Sequence, residues 1–398
     1  MGERNRKIYL DILEQKLSQG KEAVIIYGPR RVGKTTLIKQ FLEIRKAQGK
    51  SVRFLDGDSF FDRQYFDTNN PNLIFDLIKN CDVLAIDEAQ SIAKIDLIIK
   101  NLVDHSPSKI ELIISGSSTI GITDLVEESN VGRTKRILMH PAACFEISDD
   151  QDFIQKNLHD RLIFGSYPKI AFEDNDDLQK KDFLTDLVKN YLLKDVFNID
   201  GIKNSVKIEA LARMLAHRIT KEINTNEIAS ELRLERREVE NYLDLMEKSF
   251  IIFKLDPYSK NQDNVIKKQK KYFFYDLGIR NALIQDFSVF SLRSADEVGK
   301  LWENFIVAER MKRNNCFYPF KFRTYFWKTN KNFGDQEVDF VEEMEDGAAN
   351  HLYGYEIKYS KDRVVAPSQW TAQFPVANFS VVNKYNFFDF IGRDNNLG

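Results

Sequence analysis

The chain has 398 residues, enough for two to three domains, and its 43% hydrophobic and 30% charged residues can supply a real core. A formal net charge of −2 excludes a global basic field for nucleic acid, so any such contact has to be local. Three dispersed cysteines (Cys81, Cys144 and Cys316) exclude a disulfide framework and a cysteine-rich zinc site, and fit a reducing compartment.

The N-terminus is charged and amphipathic rather than signal-like. Residues 6–19, with Ile8, Ile12, Leu13 and Leu17, predict a helix. No apolar run approaches the ~18 residues a membrane span needs, so no membrane partner and a cytoplasmic location are expected. "EAVIIYG" predicts a buried strand, followed by the loop "GPRRVGKTT" and the helix "KTTLIKQFLEIRKAQ". "KSVRFLDGD", "VLAIDEAQ" and "IELIISGSS" predict three more strands alternating with helical segments. That alternation implies a doubly wound parallel sheet in an α/β fold.

The loop has the spacing Gly28-x-x-x-x-Gly33-Lys34-Thr35. A glycine loop entering a helix N-terminus presents several backbone N–H groups to one point, where the helix dipole favours an anion. Gly28, Pro29, Arg30, Arg31, Val32, Gly33, Lys34, Thr35 and Thr36 are the candidate ATP-binding residues. Lys34 is placed to reach the β- and γ-phosphates, and the Thr35 hydroxyl to bind Mg²⁺. Asp87, at the end of an apolar strand about 50 residues downstream, is the candidate second Mg²⁺ ligand, and Glu88 is the candidate for polarising the attacking water. Ser117 is the chosen polar sensor of the γ-phosphate, with Ser115 and Ser118 as rivals.

With these residues in place, the chain resembles the AAA+-superfamily ATPases of bacteria and archaea of the AAA_14 type, which carry a C-terminal DUF4143 region. "GPRRVGKTT", "DEAQ", "SGSS" and "VGRTKRILMHPAACFE" carry the resemblance, followed in order by "FGSYPKI", "YLLKDVF", "KKYFFYDLGIRNAL" and "EVDFV…YEIKYS". It implies that Arg133 contacts nucleotide or a neighbouring subunit's site, in the manner of an arginine finger, in cis or in trans. A homo-oligomer is compatible with this.

From about residue 150 the pattern turns helical. Residues 224–252 predict two helices joined by a short turn and then a strand. Asn224 or Thr225 caps the first helix, while Val239, Tyr242, Leu243 and Met246 line the second. With the strands "FIIFKL" and "KKYFFY" this is the layout of a winged helix, whose second helix can enter a major groove. Residues 203–271 hold fifteen Lys and Arg against eleven Asp and Glu. Arg233, Arg236, Arg237 and the lysines at 267, 268, 270 and 271 are candidate phosphate contacts, opposed by Glu235, Glu238 and Glu240.

After about residue 290 a helix precedes four strand-like stretches. In "YEIKYS", Glu356 and Lys358 share one face of a strand. If "QEVDFV" is adjacent, Asp339 joins them, and two carboxylates with a lysine suit Mg²⁺-assisted phosphodiester chemistry. Glu303 is the upstream helical acid. The set resembles the PD-(D/E)XK nucleases, which implies a restriction-endonuclease-like C-terminal domain with Asp339 and Glu356 as Mg²⁺ ligands.

The expected organisation is a P-loop ATPase domain at 1–145, a helical lid at 146–221, a winged helix at 222–280 and a nuclease-like domain at 290–398. The expected function is Mg²⁺-dependent ATP binding and hydrolysis, coupled to a DNA-binding winged helix and a nuclease-like domain. The alternative is a nucleotide-driven switch whose C-terminal domain is a non-catalytic interaction module.

Overall fold

Short aliphatic runs build a five-stranded parallel sheet in the N-terminal part of the computed structural model. The structure describes residues 6–66, 70, 72–106, 110–117, 132–192, 205–259, 269–329, 334–346 and 349–392. Two compact units result, one of residues 1–141 with 248–250, the other of 142–247 with 251–398.

In the first unit, β1 (Ala23–Tyr27), β2 (Val52–Asp56), β3 (Val83–Asp87), β4 (Glu111–Gly116) and β5 (Thr134–Leu138) lie in the order β2-β3-β4-β1-β5. All pairings are parallel. β3 is buried along its whole length, as expected of a central parallel strand covered on both faces. Around it Leu84, Ile86, Leu112 and Ile114 pack with Ile95, Ile98, Ile99 and Leu102 of helix Ile95–His105. Burying each such side chain contributes ~1.5–3 kcal/mol.

Two details differ from the sequence reading. Helix α1 (Lys7–Ser18) buries Tyr9, Leu13 and Leu17, so its inward stripe runs through Tyr9 rather than through Ile8 and Ile12. The edge strand β5, "TKRIL", is only partly buried, and its charged residues gave it no strand signature. Helix α2 (Lys34–Ala47) follows β1 directly through the glycine loop.

The second unit begins with short helices between Cys144 and Leu187. Helix α3 (Ser205–His217), strand β6 (Glu222–Ile223), helices α4 (Thr225–Leu232) and α5 (Arg236–Lys248), and strands β7 (Ile252–Pro257) and β8 (Lys270–Phe274) follow in order. Asn224 caps α4, accepting from the N–H groups of Asn226 and Glu227. Val239, Tyr242, Leu243 and Met246 are all buried on α5.

Helix α6 (Leu277–Ile284) and the 23-residue α7 (Ala295–Phe317) precede β9 (Phe322–Lys328), β10 (Glu337–Asp346), β11 (Ala349–Ile357) and β12 (Asn378–Val382). Ser294 caps α7, accepting from Glu297 N. The strands form one mixed sheet in the order β12-β11-β10-β9-β7-β8-β6.

Residues 301–314 of helix α7 are buried nearly all round, so the charged groups there need partners. Arg310 forms a two-pronged pair with Glu342 at 2.9 and 2.8 Å, and Lys312 lies 2.7 Å from Glu309. Asn304 accepts from Phe274 N at 2.7 Å and donates to Phe274 O at 2.9 Å, satisfying the backbone where β8 ends.

Candidate functional site: a phosphate-binding loop and a carboxylate cluster

The loop joins β1 to α2 at the carboxyl edge of the parallel sheet, where open α/β sheets bind their ligands. Gly28 has φ 144°, and a Cβ there would lie 2.0 Å from the Met139 carbonyl oxygen. Gly33, at φ 95°, is the left-handed N-cap of α2 and uses no side chain to cap it. The first N–H groups of α2 are therefore presented to whatever the loop encloses. Lys34 is buried, and its Nζ donates to the carbonyls of Gly28 and Pro29 at 2.8 Å each. These bonds hold the ammonium across the loop.

The register brings the other groups to the same edge. Ile86 is level with Ile114, and Ile26 with Ser115, so Asp87 ends β3 beside Ser115. Thr35 Oγ1 donates to Asp87 Oδ2 at 2.5 Å, and the Ser115 hydroxyl donates to the other carboxylate oxygen. The loop hydroxyl and the strand-end carboxylate thus meet, and these hard oxygen donors fit a Mg²⁺ ion.

Glu88 follows at φ 48°, a left-handed conformation costly for a non-glycine residue and concentrated at functional sites. Burial pushes its carboxyl above the ordinary range and the neighbouring Asp87 adds to this, while Gln90, Lys34 and Arg30 pull it back. A carboxylate tuned upward suits a general base.

Ser117 is buried and accepts from Gln90 Nε2 at 3.2 Å. The same Gln90 amide donates to Glu88. Gln90, the last residue of "DEAQ", thus links Ser117 to Glu88, a role the motif alone did not reveal. Ser118 lies outside the described residues. The sequence reading also missed Arg6, just before α1. It is buried and donates to the carbonyls of Val32 and His140 at 2.7 Å each, tying the loop to the strap after β5.

Arg133 requires a correction. Its carbonyl accepts from Ala23 N at 2.9 Å, which places it at the start of β1. Its guanidinium pairs with Asp104 at 2.8 Å. The loop lies at the far end of β1, ~13 Å away at ~3.3 Å per residue. Arg133 therefore does not join its own chain's triphosphate loop.

In the second unit, β10 and β11 are adjacent and antiparallel. A bulge between Val338 and Val341, the kind of irregularity that re-aims side chains, lies at Asp339. Asp339 Oδ2 accepts from Ile357 N at 2.8 Å and lies 3.2 Å from Lys358 Nζ, which is 2.8 Å from Glu356 Oε1. Glu356 Oε2 is buried without a hydrogen-bond partner. That orphaned oxygen is the feature here that fits a cation.

Glu303 and Glu337 flank the set, joined by Lys271. Burial pushes Glu303 up to about 7 against the opposing pull of Lys271, with Asp339 and Glu337 adding to the rise. Among the described residues, no three His, Cys, Asp or Glu side chains form a ready metal cage.

Several of the expected phosphate contacts are otherwise engaged. Lys271 is buried in the carboxylate cluster, so its assignment as a phosphate contact is corrected. Lys270 pairs with Asp256 at 3.3 Å. Lys267 and Lys268 lie outside the described residues. Glu240 is 2.7 Å from Arg236, and Glu238 Oε2 accepts from Glu235 N, capping α5 rather than pointing a bare charge outward.

Residues 20–148 match the model of an AAA domain, and residues 298–371 match DUF4143, a domain of unknown function. Between them, residues 155–289 match a further domain of unknown function, DUF8612. An uncharacterized ATP-binding protein of Methanocaldococcus jannaschii is 51% identical over 49 residues, 12% of this chain and 83% of that protein. An uncharacterized protein of Haemophilus influenzae is 24% identical over 320 residues, 75% of this chain and 77% of that one. AMPPCP-bound DnaA from Aquifex aeolicus is similar at a TM-score of 0.33 and 15% identity, over 62% of this chain and 89% of that one.

Residues 20–148 are thus those of an AAA domain and residues 298–371 those of a DUF4143 region, and the first of these matches supports ATP binding. No helix among the described residues is long and apolar enough to cross a membrane.

Proposed function

We propose that the first unit is a Mg²⁺-dependent ATPase whose nucleotide state governs a DNA-directed second unit. The observation that carries the reading is the Thr35–Asp87 contact at the mouth of the glycine loop. Backbone N–H groups of the loop and Lys34 bind the triphosphate, and Thr35 and Asp87 would hold the Mg²⁺. The ion, when bound, neutralises charge developing on the phosphates. Glu88 accepts a proton from the attacking water. Ser117 and Gln90 report on the γ-phosphate and hold Glu88 in place. Any finger role for Arg133 is in trans, toward the loop of a second copy.

In the second unit, α3, β6, α4, α5 and the β7–β8 hairpin follow the chain order of a winged helix. Arg236 and Arg237 stand exposed at the start of α5, where a recognition helix meets the groove. The proximity of Asp339, Glu356 and Lys358 supports a PD-(D/E)XK nuclease-like reading, in which Asp339 and Glu356 would hold Mg²⁺. The second reading, a switch with a non-catalytic C-terminal module, is favoured by Lys358, whose ammonium already pairs with both carboxylates.

A single DNA experiment separates the two readings. Duplex binding should weaken steeply between 50 and 200 mM salt, by roughly tenfold or more for a few phosphate contacts, and weaken further in Arg236→Ala plus Arg237→Ala. With Mg²⁺ added, plasmid should be cut by the wild type and not by Asp339→Ala plus Glu356→Ala. Binding without cleavage by either protein selects the switch, and salt-independent binding removes the winged-helix role.

A further inference from the structure

We infer that Lys271 is a built-in counter-cation that weakens divalent-ion binding at the carboxylate cluster, an inference that rests on the nuclease-like reading of that cluster. Four carboxylates, those of Glu303, Glu337, Asp339 and Glu356, face two ammonium groups, Lys271 and Lys358. Lys358 lies within the expected catalytic set. Lys271 belongs to β8, in the hairpin of the winged-helix segment.

Lys271 is 4% exposed, lies 3.3 Å from Glu303, pairs with Glu337 and sits over the Phe326 ring. A buried ammonium is tolerated only when paired. Here Glu303, Glu337 and Asp339 hold it charged against its burial. Its neighbour Lys270 points the other way and pairs with Asp256, as alternation along a strand requires. Glu303 is also hydrogen-bonded by the buried Thr220, whose φ is 63° and which leads into β6. Lys271 and Thr220, the two side chains that offset the charge of the helical acid, thus come from the helix-and-hairpin segment.

A divalent cation seeks the carboxylate oxygens that Lys271 occupies, and the fixed ammonium repels it. Withdrawing the charge leaves four carboxylates around one ammonium, a balance that draws a divalent ion toward the orphaned Glu356 Oε2.

The test is Mn²⁺ binding to the full chain without nucleotide, followed by calorimetry, so that the readout is independent of activity. Lys271→Met should bind Mn²⁺ at least tenfold tighter than wild type, and adding Asp339→Asn and Glu356→Gln should abolish the gain. Lys271→Arg should stay at the wild-type affinity. If Lys271→Met does not fold, Lys271→Met with Glu337→Gln removes both ends of that ion pair and should still tighten binding.

Equal affinity in wild type and the Met variant, lost in both on changing Asp339 and Glu356, overturns the role of Lys271 and leaves the nuclease-like reading standing. No ion at Asp339 and Glu356 in any variant overturns both.

Discussion

Glu88→Gln should lower ATP turnover by a factor of ~10²–10⁴ while leaving ATP affinity near that of the wild type. Glutamine keeps the size and the dipole of the side chain but cannot accept the proton of the attacking water. The loop, Lys34 and Thr35 are untouched by the change, so binding survives. The pH profile gives an independent check. Burial raises the Glu88 carboxyl above the ordinary range, and it must be ionised to act. Turnover should therefore fall on acidification through a limb lying above the usual carboxylate range, and that limb should vanish in the glutamine variant. A stopped assay across pH, paired with a nucleotide titration, measures both. Loss of affinity equal to the loss of turnover would show Glu88 to be a binding residue instead.

Lys34→Ala should weaken ATP binding by ~100-fold, about 3 kcal/mol, the scale of losing charge-assisted hydrogen bonds to phosphate. The ammonium is already positioned across the loop by the Gly28 and Pro29 carbonyls, each at 2.8 Å. Removing it leaves the phosphates with backbone donors and the helix dipole alone. Fluorescent-nucleotide titration of both proteins gives the ratio, and an unchanged affinity would mean the loop does not carry the phosphates. The global fold should be retained, since the Lys34 ammonium bonds to the Gly28 and Pro29 carbonyls of the loop.

The two ends of the chain were unequally legible in sequence. The glycine loop, Asp87 and Glu88 could be read because their chemistry demands fixed residue types at fixed spacing beside apolar strands. Gln90 stood inside a quoted motif, yet its bridge between Glu88 and Ser117 depends on how two strand ends face each other. Arg6 left no signal, because a lone arginine before an amphipathic helix reads as solvated until the fold carries it beneath the loop.

Lys271 misled for a related reason. A lysine-rich run looks like a basic surface, but strand alternation turns alternate side chains inward, and here one of them meets Glu303 and Glu337. Arg133 followed the family pattern in sequence, while parallel pairing with β1 put it at the opposite edge of the sheet. Residue types announced the chemistry; strand order and side-chain facing decided which groups meet.

The most direct measurement is a crystal structure of the chain with a non-hydrolysable ATP analogue and Mg²⁺. The account predicts triphosphate within the loop, Lys34 on its oxygens, and the ion between the Thr35 hydroxyl and Asp87. An analogue bound elsewhere, or an ion that leaves Thr35 and Asp87 bonded only to each other, would contradict it.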